Sequence, residues 1–455
     1  MRNERFFLTM MVCTILSMAG FAQNRTAYFN DNVYLSNRLN PAKLPERGYI
    51  AIPVFGSFQY GMSSDFTNMT DLIYALSTDE SILNDDSFYD RMKVDNRMNF
   101  RLNMDVFAFG WWKGQNFWSV NVGLKTDFGA SIPKSLFEFV RENNRSDYGQ
   151  TLVPNVDIRN FSMNVNAYAE AGIGYSRRIN EKFTVGGRAK LIFGLANIDF
   201  GVDRMAWNFD MPDNPDNPSS WQDGQQYGGA SIAQSHVRVA YGGGGLDFDE
   251  NGVVSDFAFD GFGIGGYGLG FDLGATFSPI ERLTLSATVQ DLGFLKWKKG
   301  AVTQAVANEE ENVILTEDNY EHYMSEGVFD LDMYEMREVE SNGYTSGLNP
   351  TMMLGGEYRL GSKEQFNVGM MYSARFAEQE TVSAVSMAAG YVPRTSFFNA
   401  TLSYSYVGHT GSVVGGLLRL GNFMLGAEYA FAGSRSSYDF YLGISIGIGK
   451  SQHED

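Results

Sequence analysis

The sequence predicts an all-β protein: a single transmembrane antiparallel β-barrel of about 14 strands, with long external loops and short periplasmic turns. Three observations predict it. The stretch Gly268–Trp297 alternates apolar and polar residues in two arms joined by a short turn. Long connections fall on one side of the strand series only. The N-terminus has the form of an export signal.

In the first arm of the hairpin, Leu269, Phe271, Leu273, Ala275 and Phe277 share one face, and Gly270, Asp272, Gly274, Thr276 and Ser278 share the other. After Pro279–Arg282 the pattern repeats, with Leu283, Leu285, Ala287 and Val289 against Thr284, Ser286, Thr288 and Gln290. Side chains on a strand alternate faces with period two, so each arm has one apolar and one polar face. Each arm also matches the roughly 9–11 residues that a tilted strand needs to cross a bilayer. The composition agrees. Among 455 residues there are 50 glycines and 14% aromatics, and no run of about 18 apolar residues follows the N-terminus, which excludes a helical membrane protein. A mean hydropathy of -0.22 is no objection, because barrel strands hide their apolarity in alternation.

Arg2 and Arg5 supply a basic start, Phe6 to Ala19 an apolar core, and Gly20-Phe21-Ala22 a small-residue cleavage site, so residues 1–22 read as a cleaved signal peptide. Cys13, the only cysteine, lies inside it without a lipobox, so disulfides, thiolate metal sites and a lipoprotein anchor are not expected. The formal charge of -18 disfavours a nucleic-acid partner.

Residues 23–48 show no period and form an N-terminal periplasmic or plug segment before a barrel over 49–450 and a tail over 451–455. The expected strands are Tyr49–Tyr60, Met98–Trp111, Phe117–Gly129, Asn160–Ser176 and Phe183–Asp199, then the hairpin. After it come Thr351–Leu360, Phe366–Phe376, Thr381–Tyr391, Phe397–Val407, Val413–Leu420, Phe423–Phe431 and Tyr438–Ile448. Different splitting within Phe200–Gly265, taken here as the longest loop, would give about 12 or 16 crossings, both also even. A short helix is expected over Pro133–Glu142, with proline near its first turn. In the last strand Tyr438, Phe440, Leu442, Ile444, Ile446 and Ile448 form a face suited to lipid.

If the apolar faces meet lipid, the opposite faces meet the lumen. They bring in Arg101 and Asp105 from the second strand, Glu170 from the fourth, Arg188 and Lys190 from the fifth, and Asp272 from the sixth. Glu357, Arg359, Arg375, Arg419 and Glu428 follow from the C-terminal strands. Because both signs are mixed, pairing across the interior is favoured over a lining that selects solutes by charge.

Several chemical motifs fail on context. Gly261, Gly263 and Gly266 satisfy GxGxxG, but a strand follows where a nucleotide site needs a helix N-terminus. Gly443–Gly447 satisfies GxSxG in mid-strand without an elbow. His236, His322, His409 and His453 are scattered, so no catalytic constellation is expected. Asp247, Asp249, Asn251 and Gly252 begin a calcium-loop pattern, but Ala258 stands where a bidentate Glu should close it. A hairpin of Gly245–Phe248 and Val253–Phe259, with Asn251-Gly252 as a type I′ turn, is favoured. No catalytic residue, metal or cofactor is expected.

The signal peptide, the tripeptide Asn40-Pro41-Ala42 followed by Leu44-Pro45-Glu46-Arg47-Gly48, and the strand end Asp291-Leu292-Gly293-Phe294 resemble the long-chain fatty-acid transporter (FadL-like) superfamily. Within it the chain resembles a family of uncharacterised barrels. The resemblance covers the mature chain at the level of architecture. It implies that Asn40, Pro41 and Ala42 belong to an N-terminal plug in a fourteen-stranded barrel. The segment before the first strand is shorter than a full hatch, and the chain continues past its last strand instead of finishing on an aromatic residue. The resemblance further implies a passive gated channel for small hydrophobic or amphipathic molecules in the outer membrane of a Gram-negative bacterium. The alternative is a non-transporting platform whose acidic loop, Glu309–Glu340, docks an envelope protein.

Overall fold

A computed structural model of the chain describes residues 24–52, 56–66, 86–145, 155–210, 212, 217–222, 225, 227–318, 336–377, 381–393, 397–432 and 435–451. The expected signal peptide and the middle of the acidic loop lie outside these residues.

Fourteen antiparallel crossings close into one barrel. The first crossing is broken into β1 (Gly48–Ala51) and β2 (Ser57–Ser64). Both pieces pair with β3 (Asp95–Lys113) on one side and with the C-terminal strand, Ser436–Ile448, on the other. The wall continues through β4 (Asn116–Pro133), β5 (Asn155–Arg178) and β6 (Phe183–Asp210). The chain then leaves the wall as β7 (Tyr227–Tyr241), β8 (Gly244–Phe248) and β9 (Val254–Phe259). It re-enters with the hairpin of β10 (Gly266–Ile280) and β11 (Leu283–Trp297). A second excursion holds β12 (Val302–Leu315), β13 (Arg337–Glu338) and β14 (Thr345–Gly347). The remaining wall strands are β15 (Thr351–Leu360), β16 (Phe366–Phe376), β17 (Thr381–Tyr391), β18 (Phe398–Val407), β19 (Gly411–Leu420), β20 (Phe423–Ala432) and β21, the C-terminal strand. Among the described residues no helix is long and apolar enough to cross a membrane.

The alternation read in the hairpin is real. Leu269, Phe271, Leu273 and Phe277 are exposed on the outer face, whereas Asp272 between them is buried. On the last strand, Phe440 and Ile446 point out and Asp439 and Tyr441 point in. This is the face pattern of an outer-membrane barrel, with an apolar band toward lipid. Aromatic clusters mark both ends of the band. Phe109, Trp111 and Trp118 stack near the short turns, with Tyr175 tilted against Trp118, and Phe193 meets Tyr267 near the long connections. Such girdles sit at the two membrane interfaces.

Three features differ from the sequence expectation. A bulge in β3 moves the register from Asp105↔Gly123 to Phe107↔Val122. Strict alternation over Met98–Trp111 would turn Phe100, Leu102, Met104 and Val106 to one face; one extra residue reverses the parity, so Phe107 rather than Val106 takes the exposed outer position. Second, the region from Phe200 is not simply a loop. β6 runs on to Asp210, and its upper part pairs with β7, which pairs in turn with β12. Together with β5 this sheet stands above the membrane and covers its own core, including Ile158, Val202, Trp207, Val237, Val254 and Leu315. The helix after Pro133, Lys134–Arg145, closes that core with Leu136 and Phe139. Third, the β8–β9 hairpin forms as expected, but its turn is not type I′. Only Gly252 has a positive φ, 77°, and its N–H bonds to the Asp249 carbonyl at 3.1 Å. That is a type I turn followed by a left-handed glycine. The Asp249 carboxylate takes the N–H groups of Asn251 and Val253, each at 2.8 Å.

Candidate functional site: the filled lumen

The described chain begins inside the barrel. Residues 24–45 fold into two short helices, α1 (Arg25–Tyr28) and α2 (Tyr34–Leu39), and nearly every side chain in them is buried. Neither helix is long enough to be stable alone, so the wall must hold the segment in place. It does so by apolar packing and by ion pairs. Tyr28, Phe29, Leu35 and Leu39 pack with Met353, Met371, Leu417 and Tyr441 from the wall.

The Asn40-Pro41-Ala42 bend fits a notch made by two glycines that face each other across β6 and β10, Gly186 and Gly274. A Cβ at Gly186 would lie 2.5 Å from the Pro41 carbonyl, and one at Gly274 would lie 2.1 Å from Asn40 Oδ1. Each residue of the tripeptide has a local task. Asn40 Oδ1 accepts the Ala42 N–H at 2.9 Å, Pro41 fixes φ, and Ser176 donates to the Pro41 carbonyl at 2.6 Å.

Charges complete the filling. Arg38 forms a two-point bond with Asp105, Nε at 3.1 Å and Nη2 at 2.9 Å, and also reaches Glu170 at 2.8 Å. Glu170 is shared with Lys125 at 3.2 Å and Lys190 at 3.8 Å. These lysines also bind Asp291, at 2.8 Å and 2.6 Å. Asp272 sits between Lys190 at 2.5 Å and Arg188 at 3.0 Å. Arg188 in turn donates to the carbonyls of Asn37 and Arg38. On the opposite wall Arg25 pairs with Glu428 at 2.9 Å and Asp439 at 3.4 Å. Lys43 binds Glu357, and both Lys43 and Arg359 bind Asp31, at 3.2 Å and 2.7 Å. Burial opposes ionisation of Asp31, but those two cations outweigh it and hold its carboxyl down to about 2.

The structure thus places Arg101, Asp105, Glu170, Arg188, Lys190 and Asp272 inside the barrel and buried, together with Glu357, Arg375 and Glu428. Arg359 is half-buried, and Arg419 is half-buried near the turn after β19. Arg101 and Arg375 share Asp127, at 3.1 Å and 2.7 Å. The same alternation would have supplied Lys125, Asp127 and Asp439, which were missed. No period marks Arg25, Asp31, Arg38 or Lys43, because their segment has no regular face.

Among the described residues a cavity of about 80 Å³, room for a few waters, is lined by both the segment and the wall. Its lining combines charge, such as Arg38, Arg101 and Asp127, with apolar surface from Leu35, Met104 and Met353. Among the described residues no group of three or more His, Cys, Asp or Glu could hold a metal ion.

Solved structures similar in fold include a TodX deltaS2S3 mutant monoaromatic hydrocarbon channel, at 10% identity and TM-score 0.45, covering 94% of this chain and 99% of that one. A Pseudomonas aeruginosa FadL homologue is 8% identical at TM-score 0.41, over 93% and 98% of the two chains. The translocator domain of the autotransporter NalP from Neisseria meningitidis is 8% identical at TM-score 0.33, over 98% and 99%. No characterised protein matches the chain in sequence. The model of a family of unknown function, DUF5723, matches residues 41–428, and the chain belongs to that family.

Proposed function

We propose that this protein is a non-catalytic outer-membrane channel, plugged by its own residues 24–47, that passes small amphipathic molecules when the plug shifts. The observation that carries this reading is the chemistry of the plug contact. Its ion pairs with Asp105, Glu170, Glu428 and Glu357 can exchange for water, since net hydrogen-bond energies are small when water replaces the lost partner. A lumen filled only by dry aliphatic packing would have no such exchange. The mixed lining of the cavity favours a solute with a polar head and an apolar part over a plain alkane, which gains nothing from buried charge.

The test is conductance of the refolded barrel in a planar bilayer, with and without residues 24–47, alongside vesicle uptake of alkanes and short amphiphiles. A silent full-length barrel that conducts once the segment is removed supports the plug. Amphiphile uptake above empty vesicles supports the solute class. If the shortened barrel is also silent, the channel reading fails.

One observation favours a second reading, the docking platform. The sheet of β5, β6, β7 and β12 carries a core of its own beyond the membrane wall, more structure than a barrel needs for closure. Crosslinking from the upper sheet in cells should then capture one reproducible envelope protein, and a lack of any such product counts against it.

A further inference from the structure

The outer face carries a patch that barrel closure does not require. At the end of β9 Phe259 is 57% exposed, and in the connection to β10 Phe262 is 94% exposed, with their rings edge-on at 5.6 Å. Ile264 is exposed beside them. The chain here is tied to the top of the wall, where the Gly265 N–H bonds to the Gly194 carbonyl at 2.9 Å. The patch therefore continues the lipid-facing band upward from Tyr267 and Phe294, both exposed.

Three lysines border it. Lys296 is exposed on the outer face, opposite Tyr267 in register. Lys298 places its ammonium 4.5 Å from the Tyr267 ring centre and donates to the Ile264 carbonyl at 3.3 Å. Lys299 makes an exposed pair with Glu340 at 3.1 Å. Among the described residues, neither Lys296 nor Lys298 has a carboxylate within ion-pair distance. In a chain of formal charge -18, this is a local cationic edge directly over an apolar one.

We propose that this edge binds the phosphate-bearing headgroup of an anionic lipid in the outer leaflet. Lys296, Lys298 and Lys299 would meet the phosphate, and Phe259, Phe262 and Ile264 would enter the acyl boundary. Aromatic rings and long cationic side chains partition to that depth together, and juxtamembrane lysines attract anionic lipid. The inference does not depend on whether the lumen conducts.

The experiment is native mass spectrometry of the full barrel extracted from phosphatidylcholine bilayers with phosphatidylglycerol as the minor lipid, counting the phosphatidylglycerol retained. Lys296→Gln/Lys298→Gln/Lys299→Gln should lower retention by roughly fivefold or more, and Phe259→Ser/Phe262→Ser should also lower it. Heat-shifted gel migration checks that both variants are folded. Lys93→Gln/Lys134→Gln, which removes cations elsewhere above the wall, should retain wild-type levels. Unchanged retention in the lysine or phenylalanine variant, or an equal fall in the control, overturns the site.

Discussion

Two parts of the barrel solve the same problem of closing a sheet in different ways. From β15 to β20 the strands are 10 or 11 residues long, about what a bilayer crossing needs. Short turns link them at the periplasmic end, as at Gly421 and Asn422. On this side lipid covers the outer face and the N-terminal segment covers the inner one. β5 and β6 have 24 and 28 residues, and β6 reaches about 90 Å at the usual rise per residue. Above the membrane they lose both covers, so β7, β12 and the helix Lys134–Arg145 supply a dry core in their place. One region is held by ion pairs together with apolar packing against the N-terminal segment, and the other by packing alone. The difference teaches that a strand's inner face is chosen by what stands opposite, not by the strand alone.

The sharpest way to break the comparison is to remove a cation of the N-terminal segment. Lys43→Ala leaves Glu357 of β15 without its cation in a buried site, which should cost about 3–5 kcal/mol. The midpoint of urea unfolding, read on the wall in detergent, should fall, and the upper sheet should stay resistant to protease. Phe139→Ala tests the other region. It empties the space beside Trp207, where the rings meet at 5.4 Å, for about 3 kcal/mol. Here the upper sheet should become protease-sensitive while the heat-shifted migration of the barrel is kept.

A smaller effect sharpens the boundary between the two modes. Gly186→Ala places a methyl against the Pro41 carbonyl, and overpacking of this kind costs about 1–3 kcal/mol. It leaves every ion pair in place, so increased labelling of a cysteine introduced at Ala42 would show that shape as well as charge holds the bend. The smallest effect is that of pH. Asp31 has its carboxyl lowered to about 2, so its contribution is fully present above the ordinary carboxylate value of about 3.9 and is lost as pH falls toward 2. Protection of the N-terminal segment measured by the same labelling should be flat from neutral pH to about pH 4 and decline below it. A decline centred near neutrality would contradict the Asp31 arrangement.

Much of the wall was legible because period-two alternation survives in isolation. Leu269, Phe271 and Leu273 against Asp272 state which face meets lipid, and the count of such stretches gave the crossings. The helix after Pro133 and the β8–β9 hairpin were legible for similar local reasons, a proline near a first turn and a glycine able to take positive φ. Val106 was misplaced because a bulge leaves no residue signature when no glycine is needed. The strands beyond Asp199 were hidden in polar connections whose partners, Tyr227–Tyr241 and Val302–Leu315, lie far along the chain.

What the sequence by itself determined is therefore the face of most wall residues and most of the charges turned inward, since both follow from the geometry of one chain segment wherever no bulge interrupts it. Only the tertiary structure decided how those charges pair and where the Asn40-Pro41-Ala42 bend rests. Arg38 reaches Asp105 and Glu170 from 67 and 132 residues away, and the notch at Gly186 and Gly274 exists only once β6 and β10 are side by side. Contacts at such separations depend on closure of the whole barrel, and no local pattern encodes them.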